Sequence, residues 1–426
     1  MKKTINECAV PSMGHTKGFV FALAYILLCF DAFGGALRYY FSIYNMDVLL
    51  YIPKLIALLS SIFLLFYFRR SPGIIVERPS VLWAYVLLFI SVWVAIFNSV
   101  SYSSIAFMCL LLAPFILGLQ IPVPEKDKRD TFILALGLIW FSTVIGVIAD
   151  YYFVFPWKGE ELELYGKVIE INRSWALSGI GLDRLAGFTR MSVVAAFYIG
   201  ISGLILLVCY ENVLLRVIIV LTTIAGLVMT TTKSAVLAFF IVLIMMCVRS
   251  LPFLRKSIFA FAVGVAIYLP LNTHNSVKSI HSSYAYSDVL FNSFEDRMVD
   301  TWPEFHSAIK HAIIGEGFGG VGTSNKMFGS PVADETLNVA DSFPLYLMGW
   351  FGFTGGILIY ICLGIYAYRM STESNIWCQA IGTAGLFILL AGITTDVIES
   401  VPGGMLLGII VRGISESKMI IKEEIS

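Results

Sequence analysis

Charged side chains are scarce in this chain: Asp, Glu, Lys and Arg make up 14% of its 426 residues, against about 25% in soluble domains. With 58% hydrophobic residues and a mean hydropathy of +0.83, that scarcity excludes a soluble globular protein and leaves a polytopic membrane protein. Cysteine is sparse and confined. Cys8, Cys29, Cys109, Cys209, Cys247, Cys362 and Cys378 sit in or beside apolar runs, so no disulfide framework staples the two long polar intervals. These cysteines read as small apolar packing residues rather than functional thiols. No small-residue cleavage site follows the first apolar run, which argues against a cleavable signal peptide. Neither an inverted internal repeat nor a low-complexity tail is visible, and no HExxH or paired-cysteine pattern accompanies the histidines, so neither a metal nor a cofactor is expected.

What is present is a series of apolar runs long enough to cross a hydrocarbon core of about 30 Å as helices. Twelve are read, over 17–37, 47–68, 80–98, 103–122, 131–150, 188–209, 213–231, 234–249, 257–271, 343–368, 377–396 and 401–415. The eighth, ninth and twelfth are short, and Gly403 and Gly404 weaken the last. The expected fold is an all-α, polytopic transmembrane bundle of about twelve helices forming a single integral domain over residues 1–426.

Orientation follows from Lys and Arg, which are retained on the cytoplasmic side. Placing Lys2, Lys3, Arg69, Arg70, Lys126, Lys128, Arg129, Arg255, Lys256 and Arg412 inside puts both termini in the cytoplasm, with intervals 151–187 and 272–342 outside. The first mixes Trp157, Tyr165 and Trp175 with Lys158, Glu160, Glu161 and Glu163, a composition suited to the membrane interface. Its Asn172–Arg173–Ser174 matches a glycosylation acceptor by chance. The second carries four of the five histidines, His274, His281, His306 and His311. It is too long for a bare connection, and apolar residues at helical spacing in SFEDRMVDTWPEFHSAIKHAI predict an amphipathic helix there.

The chemistry-bearing residues stand at helix ends on the outer side. Arg184 and Arg190 open the sixth helix, Lys233 occupies the turn TTTKSA, and Arg297 opens the amphipathic stretch. Such cations can converge on a pyrophosphate, or can snorkel toward lipid phosphates. Lys233 favours the first alternative, because a charge flanked by apolar sequence is costly without a partner or water. Asp341 stands before the tenth helix, as a base for a sugar hydroxyl or, with Ser342, as a helix cap preceding Pro344. The formal GxGxxG at Gly315, Gly317 and Gly320 lacks a βαβ context and reads as a tight backbone turn packed on the bundle or against a ligand. His306 and His311, five apart, fall on different sides of a helix and suit a sugar hydrogen bond better than a metal.

Taken in order, these segments resemble the bacterial O-antigen polymerase and O-antigen ligase family of membrane glycosyltransferases. FGGALRYYFSIYNMDVLLYIPKL is similar to the family's first outward turn and second helix, and DRLAGFTRMSVVAAF to its arginine-led middle helix. TTTKSAVLAFF resembles its threonine–serine–arginine turn, with Lys233 in place of arginine. DRMVDTWPEFHSAIKHAIIGEGFGGVG, followed by ADSFPLYLMGWFGFTGG, resembles its long outer loop. Ligases carry a His and Asn pair where this chain has Asp341 and Ser342, which favours polymerase.

The resemblance implies metal-independent, inverting transfer on the periplasmic face of the bacterial inner membrane, between undecaprenyl-pyrophosphate-linked glycans. Arg184, Lys233 and Arg297, with Arg190 and Arg38 as second choices, would hold the pyrophosphate. Asp341 would be the base, and His306 and His311 weak sugar contacts. Membrane lipids and a chain-length regulator are implied partners, nucleic acid is not, and no cofactor is needed. The ligase and a polysaccharide flippase remain alternatives, the latter disfavoured by the absence of repeated halves and of charges deep within helices.

Overall fold

In hydrocarbon an open chain must satisfy its backbone polar groups internally, and the computed structural model of this chain is mostly helical. It describes residues 13–69, 79–164, 167–172, 176–177, 182–271, 296–309, 311, 313–329, 335–338 and 340–425. Lys2, Lys3, Cys8, Arg70, Tyr165, Arg173, Ser174, Trp175, His274 and His281 lie outside these.

The helices are α1 (Met13–Ala32), α2 (Gly34–Ile43), α3 (Ile52–Arg69), α4 (Pro79–Phe97), α5 (Tyr102–Leu111), α6 (Ala113–Gly118), α7 (Lys126–Tyr152) and α8 (Ser192–Cys209). They continue as α9 (Val213–Met229), α10 (Lys233–Cys247), α11 (Pro252–Leu271), α12 (Trp302–Ala308), α13 (Thr323–Phe328), α14 (Phe343–Met370), α15 (Ile376–Ala391) and α16 (Val401–Ile425). Between α7 and α8 stand two small antiparallel hairpins, β1 (Glu161–Leu164) with β2 (Lys167–Glu170), and β3 (Ala176–Leu177) with β4 (Leu182–Asp183).

Among the described residues, six helices are long and apolar enough to cross a membrane, or seven if the bent pair α1–α2 is one span. Shorter apolar helices lie in α3, α5, α9, α10 and α16. Length and composition therefore single out six or seven crossings where twelve were expected, and two of the expected runs are broken. The run at 17–37 turns by 78° between α1 and α2. The run at 103–122 divides into α5 and α6 at Leu112, where Pro114 in the first turn of α6 has no N–H for a continuous ladder.

Helices α8 and α15 are buried on every face and form the centre, α8 packing against α7, α9 and α15. Such all-round apolarity marks a helix enclosed by others. Between apolar helices in lipid, association depends on close packing rather than on escape from water, and α6 meets α16 on that principle. A methyl group added at Gly408 would lie 2.2 Å from the Phe115 carbonyl oxygen, and one at Gly118 would lie 2.2 Å from that of Met405. Gly403 and Gly404, which weaken the helical reading of this segment, sit inside α16.

The glycine-rich stretch runs across the bundle. Asn98 Nδ2 donates to the Gly315 carbonyl at 2.9 Å, the Phe318 N–H to the Ser91 carbonyl at 3.0 Å, and Ser104 Oγ to the Gly319 carbonyl at 2.6 Å. The Glu316 N–H donates to the Gly349 carbonyl of α14 at 2.7 Å. Gly317 has φ 81°, and a methyl there would stand 2.3 Å from the Ala95 nitrogen, so both its dihedral and its contact with α4 require glycine. Of the two uses left open for this stretch, the structure displays packing on the bundle. The long interval also contributes the predicted amphipathic helix in short form: α12 follows a wide turn over Arg297–Thr301 and buries Trp302, Phe305 and Ala308 along one face.

Candidate functional site

Arg184, Lys233, Arg297 and Asp341, four positions from four separate segments, line one cavity of about 860 Å³. Its volume falls within the range of small-molecule and cofactor sites. Each of the four is placed by a different local device.

Arg184 directly follows β4 and leads into the turn over the next residues. Asp150, at the end of α7, is almost wholly buried, and its Oδ2 accepts the N–H groups of Ala186 and Gly187, each at 3.0 Å. Lys158 Nζ reaches the other oxygen, Oδ1, at 3.4 Å. The Gly187 carbonyl accepts Trp157 Nε1 at 3.1 Å, and Asn172 Nδ2 donates to the Thr189 carbonyl at 2.9 Å. The first loop is thus knotted around the residues just after Arg184. Burial and the nearby Arg297 guanidinium pull Arg184 below the ordinary arginine value, while the Asp341 carboxylate opposes them.

Lys233 is the first residue of α10, within electrostatic range of Arg184 and Arg297. The turn before it is strained. Thr231 has φ 53°, unusual for a β-branched residue, and Thr232 donates its hydroxyl back to the Thr230 carbonyl at 3.4 Å instead of capping the helix. Arg297 Nε donates to Asp341 Oδ2 at 3.1 Å. Asp341 is also left-handed, at φ 43°. The capping alternative for this residue pair is not realised: Ser342 precedes α14 without a side-chain cap hydrogen bond, and the Asp341 carboxylate goes to Arg297. Of the four non-glycine residues with positive φ among those described, two line this cavity, and sparsely populated backbone conformations gather where function over-determines them.

Lys326 of α13 also lines the cavity. Sequence reasoning missed it, since a lysine in a polar glycine-rich loop looks like any solvated loop residue. With it the polar end holds four cations against one carboxylate, a formal net charge of +3. The rest of the wall is apolar. Leu237, Ala238 and Ile241 form one face of α10, and Ile258, Phe261, Ala262, Val265 and Leu269 recur along one stripe of α11. From Leu269 to Ile258 that stripe covers roughly 16 Å at the helical rise. The cavity therefore combines a cationic head with an apolar trough between two helices, the shape of a site for an anionic amphiphile.

The other assigned residues lie elsewhere. Arg38 and Arg190 do not line the cavity; with Lys54 they surround Asp31, whose Oδ2 accepts the Tyr198 hydroxyl at 3.1 Å. His306 stacks on Phe353 with ring centroids 4.4 Å apart, and burial lowers its imidazole from the ordinary histidine value. His311 is exposed, and its backbone N–H donates to Glu316 Oε1 at 3.1 Å. Neither histidine lines the cavity. Among the described residues no three His, Cys, Asp or Glu side chains assemble as a metal cage.

Compared with known proteins, the chain matches no family model and no curated protein.

Proposed function

We propose that the protein is a membrane glycosyltransferase of the O-antigen polymerase type, joining lipid-diphosphate-linked oligosaccharide repeat units. The observation that carries this reading is the convergence of Arg184, Lys233, Arg297 and Asp341 on a single cavity whose remaining wall is an apolar trough. A glycan carried on undecaprenyl pyrophosphate needs that combination: fixed cations for a diphosphate that carries two formal charges and gains a third as it leaves, apolar surface for the lipid, and a carboxylate beside them for the incoming hydroxyl. In this reading the chain crosses the bacterial inner membrane about twelve times with both ends cytoplasmic, and the cavity opens to the periplasmic side.

The acceptor hydroxyl oxygen attacks the anomeric carbon as the bond from that carbon to the diphosphate breaks. The diphosphate leaves with the electron pair, held by Arg184, Lys233 and Arg297. The hydroxyl proton passes to Asp341. Cations aimed at the departing oxygens stabilise charge that grows in the transition state, which raises the rate and not merely the affinity.

Reconstitution in lipid nanodiscs with a defined undecaprenyl-diphosphate-linked repeat unit tests the reading. A ladder of elongated products without added lipid A core is the expected result. Products formed only when lipid A core is supplied would make the protein a ligase, and no product with either acceptor would end the enzymatic reading.

A further inference from the structure

The residue proposed as the base is engaged by a cation proposed to bind the leaving group. Asp341 Oδ2 accepts a hydrogen bond from Arg297 Nε at 3.1 Å, across 44 residues of sequence. The N–H held there competes with an acceptor hydroxyl for the carboxylate. We propose that Arg297 is exchanged between two anions, Asp341 and the substrate diphosphate, so that filling the diphosphate site releases the Asp341 carboxylate for the acceptor. This inference rests on the proposed diphosphate site.

Three features of the site favour an exchange over a fixed pair. First, the pair is partly open, with 21% of the Arg297 side chain and 38% of the Asp341 side chain exposed, so neither group is sealed into the interior. Second, Arg297 lies in electrostatic range of Arg184 and Lys233. A diphosphate brings two formal charges and several acceptor oxygens to the guanidinium that Asp341 engages through one oxygen. Third, the carboxylate is carried on a backbone at φ 43° and is not used as a helix cap, so it can leave Arg297 without uncapping α14. The consequence is an ordered reaction: the donor diphosphate enters first, and its arrival frees the base for the acceptor.

Calorimetric binding of farnesyl diphosphate, which has the diphosphate and an apolar tail but no sugar, to the full-length protein in nanodiscs tests this. Asn tolerates the left-handed backbone as Asp does, so Asp341→Asn removes the competing charge without straining the turn. The exchange predicts that Asp341→Asn binds farnesyl diphosphate about fivefold more tightly than the unmodified protein, and that this gain disappears in the Arg297→Gln background, a coupling that a double-mutant cycle isolates. An equal gain in both backgrounds would mean that Asp341 acts only through its field, and an unchanged or weakened affinity would mean that it does not compete for Arg297. Either result overturns the exchange while leaving the diphosphate site standing. Absence of farnesyl diphosphate binding to the unmodified protein, or binding unaffected by Arg184→Gln, would instead remove the diphosphate site and the exchange together.

Discussion

Two groups of cations on this chain have similar composition and different surroundings. Arg184, Lys233, Arg297 and Lys326 line a cavity together with one carboxylate, Asp341, which pairs with Arg297. Arg38, Lys54 and Arg190 surround Asp31, which also accepts the Tyr198 hydroxyl, and Lys54 is further within range of Glu399. The first group lines a cavity large enough to hold a ligand. The second is drawn together by carboxylates within the protein and joins α1, α2, α3 and the approach to α8. Charge near a helix end is therefore an insufficient sign of a site. What separates binding from bracing here is whether the cations line a cavity or gather around a carboxylate inside the packed bundle.

The comparison can be broken most directly at the cations themselves. Arg184→Ala and Arg297→Ala should each lower the rate of glycan transfer by about 10³-fold, the scale seen when a fixed donor to developing charge is removed. Arg38→Ala and Arg190→Ala in the purified, folded protein should stay within a factor of about three. Initial rates with a lipid-linked repeat unit make the measurement, and equal losses in both groups would erase the distinction. A smaller effect is expected at Asp150, which touches neither group but holds the turn after Arg184. Asp150→Ala leaves two buried N–H groups and Lys158 without their acceptor, so thermal melting should report a loss of about 3 kcal/mol, with Asp150→Asn recovering part of it. Smaller still, Asp31→Asn and Lys54→Met should each cost on the order of 1–2 kcal/mol, and together less than their sum, because each removes the reason for the other. Strict additivity there would mean that the bracing interpretation is misplaced.

The polar head of the cavity was largely legible in the sequence, because a charge beside an apolar run is costly unless something receives it, and Arg184, Lys233, Arg297 and Asp341 all stand at such boundaries. Its trough was not. Leu237, Ile241 and Phe261 look in sequence like any lipid-facing residues, and only the packing of α10 beside α11 gives them a shared wall. Asp150 was missed for a related reason: its partners are backbone groups some 36 residues away, and backbone donors carry no sequence signal. The apolar segments largely emerged as helices near the expected boundaries. The 78° bend between α1 and α2 did not announce itself, since neither proline nor a polar break stands between Ala32 and Gly34. Arg38 and Arg190 satisfied the same boundary rule as the cavity cations and fell elsewhere, because local sequence cannot say which carboxylate will fold up beside them.

The smallest expected effect concerns His306, in the helix that follows Arg297. Burial holds its imidazole below the ordinary histidine value, which is about 6.5 in an unfolded chain. The unfolded state therefore binds the extra proton first as pH falls. The contribution of His306 to stability is complete above about pH 6.5 and is lost progressively as pH drops through that value toward the lower one of the folded state. His306→Phe keeps a ring against Phe353 and removes the proton site. Melting temperatures of the two proteins should run together near pH 7 and separate toward about pH 5, the unmodified protein falling further; parallel profiles would remove His306 as the source. Because α12 continues directly from the turn that begins at Arg297, protonation should reach the cavity as well. Farnesyl diphosphate binding should then weaken in acid more for the unmodified protein than for His306→Phe, whereas the Asp31 group, which does not touch this helix, should show no such difference.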